Sequence, residues 1–158
     1  MKRFLSMLAV AFTMLFVACT ATPSDYFDEI SSEIGKVADA QRILENVSNA
    51  DTVQEAKSTI SKVYHHLQRI DSYRGDDTLR AAALDYAKIF YDIYCSEDGH
   101  YLALHKRVLN GDTLSEEENI EHDNLFQSYL NLSTQASVVF SKAEESFMKN
   151  YGLIPDLN

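Results

Sequence analysis

Tryptophan is absent from this 158-residue chain, cysteine and proline occur twice each, and glycine only five times. So little glycine and proline excludes a collagen-like or low-complexity disordered chain. Two cysteines, Cys19 and Cys95, cannot build a disulfide framework, and no Cys-x-x-Cys motif exists for haem attachment or thiol exchange. Basic residues are also short, with 14 Lys and Arg against 24 Asp and Glu for a formal charge of −10. That balance opposes phosphate backbones and anionic lipid surfaces, so no nucleic acid is expected as a partner. Gly-x-Ser-x-Gly, Walker and zinc-protease motifs are missing, so no catalytic residue is assigned and the protein is expected not to be an enzyme. What remains is 46% hydrophobic and the size of one domain, with enough chain to bury a core without disulfides.

The apolar residues are not evenly spread. Met1-Lys2-Arg3 is a short basic start, and Phe4 to Ala18 is an apolar run with only Ser6 and Thr13 interrupting it. That run is shorter than the roughly 20 residues of a spanning helix and reads as a secretory signal, residues 1–18. Its ending, Leu15-Phe16-Val17-Ala18-Cys19, resembles the lipobox of bacterial lipoproteins, with Phe16 where Leu is usual. The resemblance implies that Cys19 is lipidated and becomes the first mature residue; an ordinary signal peptide cut near Ala18 or Ala21 is the alternative. Several acyl chains, at about 0.8 kcal/mol per buried methylene, would hold the protein to the membrane of the cell envelope, most naturally the outer membrane. Loss of Lys2 and Arg3 with the leader takes the formal charge from −10 to −12. Residues 19–24 form a short tether and 25–158 the folded domain. Cys95 is left as a small core residue without a partner thiol.

From Ser24 onward, apolar positions recur at spacings of three and four. They run Phe27, Ile30, Ile34, Val37, Gln41 and Leu44, then Val53, Ala56, Ile60, Val63, Leu67 and Ile70. A third series is Leu79, Ala83, Tyr86, Phe90, Ile93, Tyr101, Leu104 and Val108. The fourth is Leu125, Tyr129, Leu132, Ala136, Val139 or Phe140, Ala143 and Phe147. Each is a stripe on one face of a helix, and nothing alternates with period two. Asn49 to Thr52, Gly75-Asp76 and Ser115 with Glu118 supply the stops and caps, and Gly152 and Pro155 close the last helix. These limits give four helices of about 24, 24, 34 and 36 residues. Short connections make an all-α, up-down-up-down antiparallel four-helix bundle. The long pair outreaches the short pair by about 15 Å, so a hairpin centred on Asn110-Gly111 projects. Ser96 to Gly99 is where the third helix kinks or splits.

The lipobox, Tyr26-Phe27-Asp28, the Gly75-Asp76 turn before Leu79-Arg80, and the closing Phe147, Tyr151-Gly152-Leu153 together resemble uncharacterised four-helix lipoproteins of Bacteroidetes and leptospires. That resemblance implies an envelope lipoprotein and no known activity.

Other constellations are thinner. Glu97-x-x-His100 has the spacing of a di-iron ligand pair but occurs once, so neither metal nor cofactor is assigned. The alternative function kept open is a helical metal- or ligand-binding envelope sensor using Glu97, His100 and His105. Arg74-Gly75-Asp76 is the tripeptide integrins read, yet a helix stop at Gly75 and a cap at Asp76 account for all three residues. Asp51-Thr52-Val53, Asp77-Thr78-Leu79 and Asp112-Thr113-Leu114 each resemble the Asp-Thr-aliphatic O-glycosylation site of secreted Bacteroidetes proteins, which marks Thr52, Thr78 and Thr113. The tyrosines are expected in the bundle seam. The hairpin from Tyr101 to Asp123, with apolar positions beyond the four-helix core, is the expected contact for a protein or glycan partner.

Overall fold

Every expected helix start carries a group able to take up free backbone N–H donors, and helices form where those groups sit. The computed structural model describes residues 21–47, 49–96 and 100–154. Among them the chain is all-α, with five helices and no strand: α1 (Pro23–Asn46), α2 (Ala50–Leu67), α3 (Thr78–Tyr94), α4 (His100–Leu109) and α5 (Glu116–Asn150). The leader, Cys19 and Pro155 lie outside the described residues. Thr22 Oγ1 accepts the Asp25 N–H at 3.1 Å while Asp25 Oδ2 accepts the Thr22 N–H, a closed capping box with Pro23 in the first turn. Asn49 Oδ1 accepts from the N–H groups of Asp51 and Thr52. Ser115 and Glu118 make the reciprocal pair expected of them, at 3.2 and 2.8 Å. Helix α1 begins at Pro23, so the last two tether residues are already helical.

Two boundaries differ from the sequence reading. The second helix stops at Leu67, and Gly75 ends no helix. Tyr73 and Asp76 instead exchange both backbone hydrogen bonds, at 3.0 and 2.8 Å, across Arg74 (φ 52°) and Gly75 (φ 86°). Two consecutive left-handed residues make a two-residue hairpin turn of the I′ kind, where glycine is at ease and arginine is not. Asp77 stands at the cap position of α3 but makes no side-chain bond to the helix backbone, its carboxylate being held by Arg80 Nη2 at 2.8 Å; it is Asp76 Oδ1 that accepts the Thr78 N–H, at 3.0 Å. The third helix is in fact two. At the end of α3 the N–H groups of Cys95 and Ser96 both bond back to the Tyr91 carbonyl, and the Ser96 hydroxyl donates to the Asp92 carbonyl. These bonds satisfy the last turn of α3, and α4 starts afresh at His100.

The packing follows the apolar stripes, with shifts at the edges. Helix α1 lies along α2, α3 lies along α5, and α2 and α1 both pack on α3; α5 meets α1 only lightly. All five apolar positions of α2 from Val53 to Leu67 are buried. On α1 the buried positions are Tyr26 and Ala40, where the sequence reading had Phe27 and Gln41. On α5 the expected core position Leu132 is 46% exposed, and of the alternatives Val139 and Phe140 it is Phe140 that is buried, Val139 being 54% exposed. The core is rich in tyrosine. Six of the nine tyrosines are buried and the other three half-buried. Tyr26, Tyr73, Phe147 and Tyr151 cluster at one end, with ring centroids 4.5–5.6 Å apart in the contacting pairs. Phe90, Tyr94, Tyr101 and Tyr129 cluster towards the other.

Candidate functional site

Of the residues marked in the sequence, Cys19 and Glu97 lie outside the described residues. Thr78 and Thr113 are exposed, the first opening α3 and the second in the loop before α5. Thr52 is half-buried, its N–H bonded to Asn49 Oδ1 at 3.3 Å. In the hairpin, Tyr101 and Leu104 are buried and Leu125 half-buried, so most of its apolar stripe is covered by its own neighbours; Val108 and Ile120 are 43% and 56% exposed. Cys95 is half-buried, donates to the Lys57 carbonyl at 3.3 Å, and has its thiol pushed up to about 11 by burial.

The histidines regroup in a way the sequence did not suggest. His100 is exposed and faces Glu121, whereas His105 of α4 meets His122 of α5. Their rings are parallel within 2°, with Nδ1 of His105 3.3 Å from Nε2 of His122 and centroids 5.6 Å apart. That centroid distance equals the N···N separation plus one ring radius at each end. The rings therefore lie edge to edge in one plane, nitrogen aimed at nitrogen. The outer nitrogens both face acceptors: His105 Nε2 is 3.2 Å from the Glu45 carbonyl, and His122 Nδ1 3.5 Å from Asp123 Oδ1. A carbonyl only accepts, so His105 carries a hydrogen on Nε2. Between the rings there is room for one hydrogen. Tyr101 lies beside both imidazoles, its ring centroid 5.2 and 5.5 Å from theirs and within 17° of parallel, and its hydroxyl is 3.4 Å from the same His105 Nδ1 that faces His122. Beside it the Tyr129 hydroxyl donates to Glu45 Oε1 at 3.0 Å, which Gln41 also reaches at 2.8 Å. This chain of bonds ties α4 to α1 and α5. Two nitrogens aimed at one another do not converge on a third point, and among the described residues no three His, Cys, Asp or Glu side chains converge as metal ligands.

At the opposite end a cleft of about 430 Å³ opens between the start of α1, the end of α2 and the turn that follows. Tyr26, Glu29, His66, Arg69, Tyr73 and Arg74 are among its walls. Glu29 is held by His66 Nε2 at 3.2 Å. The Arg74 guanidinium lies 5.2 Å over the Tyr73 ring. The Tyr26 phenol is pushed up to about 12, first by burial and then by Asp77. A volume of this size suits a small ligand rather than a bare ion. Most of its lining comes from His66 to Arg74, a stretch the sequence reading runs through as the end of the second helix; because the helix stops at Leu67, these side chains gather around a turn instead, which is why the cleft was not legible there.

Comparison with known proteins gives no matching family model, no matching curated protein and no matching solved structure.

Proposed function

We propose that this protein is a lipid-anchored component of a bacterial cell envelope, held at the outer membrane through Cys19, whose helical domain is a non-enzymatic binding module of the four-helix lipoprotein kind. One observation carries the reading. The lipobox-like Leu15 to Cys19 is followed within three residues by the Thr22 capping box that opens α1, so the folded domain starts where an anchor would end. No described helix is long and apolar enough to cross a membrane.

An antiparallel arrangement of α1, α2, α3 and α5 is supported by residue pairs. Glu29 early in α1 meets His66 late in α2, and Lys57 early in α2 meets Cys95 just after α3. Tyr86 and then Phe90 of α3 lie by Phe140 and then Tyr129 of α5, and Tyr26 early in α1 stacks on Phe147 late in α5. Exposure of Thr78 and Thr113 favours glycosylation there over Thr52. Exposed Val108 and Ile120 leave the hairpin tip available to a protein or glycan partner. A second reading, a ligand-binding envelope sensor, is favoured by the cleft beside Tyr73 rather than by His100 and His105, which stand apart.

The test is Cys19→Ala in the native host, followed by membrane fractionation and labelled-palmitate incorporation. The variant is expected to lose label and to stay uncleaved or leave the membrane fraction. A variant that takes up label and fractionates as the parent does overturns the anchor.

A further inference from the structure

The chain is acidic as a whole but not throughout. From Ala56 to Gly75 there are four basic residues, Lys57, Lys62, Arg69 and Arg74, against the single acid Asp71. Out of 14 and 24 in the whole chain, that leaves ten basic residues against 23 acids elsewhere. The stretch is bounded by Glu55 and by Asp76-Asp77, and Lys57 and Lys62 do not line the cleft, so what matters at contact range is how its individual cations are paired rather than a local excess of charge.

Within that region two side chains stand out. Five arginines fall among the described residues. Arg42, Arg80 and Arg107 are each bonded to a carboxylate: Asp39, Asp77 and Glu118 respectively. Arg69 and Arg74 have no carboxylate within ion-pair distance among the described residues, in a protein with an excess of acids, and both line the same cleft. Arg74 is also held there at a cost, since its φ of 52° is one that glycine or asparagine adopts more easily. Its guanidinium is steadied by the Tyr73 ring beneath it. Among the described residues the carboxylates on the walls are Glu29, already engaged by His66, and Asp71. Ile70 and the tyrosine rings supply apolar wall beside the two guanidiniums. Planar guanidiniums left without carboxylates match the oxygens of a phosphate, and the apolar wall matches the ester carbon attached to it.

Position completes the argument. Ala21 forms part of the cleft wall, two residues from Cys19. We propose that this cleft binds the phosphate diester of a glycerophospholipid headgroup through Arg69 and Arg74, with Tyr73 and Ile70 against the glycerol. The phosphate chemistry stands on the cleft alone; its assignment to a membrane lipid rests on the anchor reading above.

The test uses the full chain in a neutral detergent, titrated with dihexanoyl phosphatidylglycerol below its micellar concentration and, separately, with inorganic phosphate. Binding of the lipid is expected to saturate and to weaken as sodium chloride is raised. Arg69→Gln and Arg74→Gln should each weaken it about tenfold, and Lys142→Gln, on α5, should leave it unchanged. Unaltered binding in the doubly substituted protein, with its helical circular dichroism intact, overturns the proposal. So does lipid binding that ignores salt in the unsubstituted protein, a measurement that needs no variant to fold. Inorganic phosphate binding as tightly as the lipid overturns the lipid as source. Because the protein is already in detergent, none of these outcomes depends on Cys19, so a failure here is separate from a failure of the anchor.

Discussion

The edge-to-edge imidazoles of His105 and His122 make a specific statement about single hydrogen atoms. Glu45 offers a carbonyl to His105 Nε2 at 3.2 Å, and that fixes the ring in its Nε2–H form with Nδ1 turned towards His122. Nitrogen-15 NMR of the histidine rings should therefore show His105 hydrogenated at Nε2. A His105 ring bearing hydrogen only at Nδ1 contradicts the arrangement. None of this could be read from the sequence. The two histidines are 17 residues apart on separate helices, and their meeting depends on how α4 is rotated against α5. The pair His65-His66, which is conspicuous in the sequence, is by contrast split around the helix, with only His66 reaching across to Glu29.

The element scale was the most legible, because the signals there are local. Ser115 and Glu118 announce the start of α5, and the structure gives them both halves of the capping box. Glu118 does more than cap. The same carboxylate bonds Arg107 of α4, and the Arg107 pairing, with the Ser115 N–H adding to it, holds the carboxyl down at about 2. Ser115→Ala should lower stability by about 1 kcal/mol, measured by urea denaturation, since it removes a side-chain acceptor from an exposed helix start. A change within error of zero would mean that Glu118 and Arg107 hold the turn without the serine. The limits of α2 and α3 were less legible. Gly75 followed by two aspartates looks like a helix stop and a helix start, yet a two-residue turn uses the same residue types. The break between α3 and α4 was visible as a polar interruption of the stripe, but only the paired bonds to the Tyr91 carbonyl decide in favour of two helices.

Across the whole molecule, the tyrosine content governs how the fold responds to alkali. Burial raises the phenols of Tyr26 and Tyr101 to about 12, and those of Tyr94 and Tyr129 are raised further. A phenol whose folded value lies above its unfolded value of about 10 favours the folded state fully below that pH, and the contribution is lost as pH climbs towards the folded value. Helicity at 222 nm should therefore hold to about pH 10 and fall between about pH 10 and 12. The late part of the phenolate absorbance at 295 nm should rise in the same step. Complete ionisation of the tyrosines with helicity unchanged would show that these rings are not in the core. The sequence did point to tyrosines in the seam. It did not show which flank of α5 is left open, where Leu132 and Val139 are exposed, because that depends on how the helix is rotated against its neighbours.

The start of α1 and the end of α5 lie together, with the rings of Tyr26 and Phe147 5.5 Å apart. A chain folded in this way is nearly a closed loop, and the packing is indifferent to where such a loop is opened. Joining residue 22 to residue 153 with a short linker and opening the backbone at Asn110-Gly111, in an exposed turn, would preserve every helix pair. The reordered protein would leave the ribosome with α5 made before α1. Its first residue would move to the far end of the molecule from the Arg69 and Arg74 cleft, so that a tether attached at the start of the chain would meet the protein at the α4–α5 turn instead.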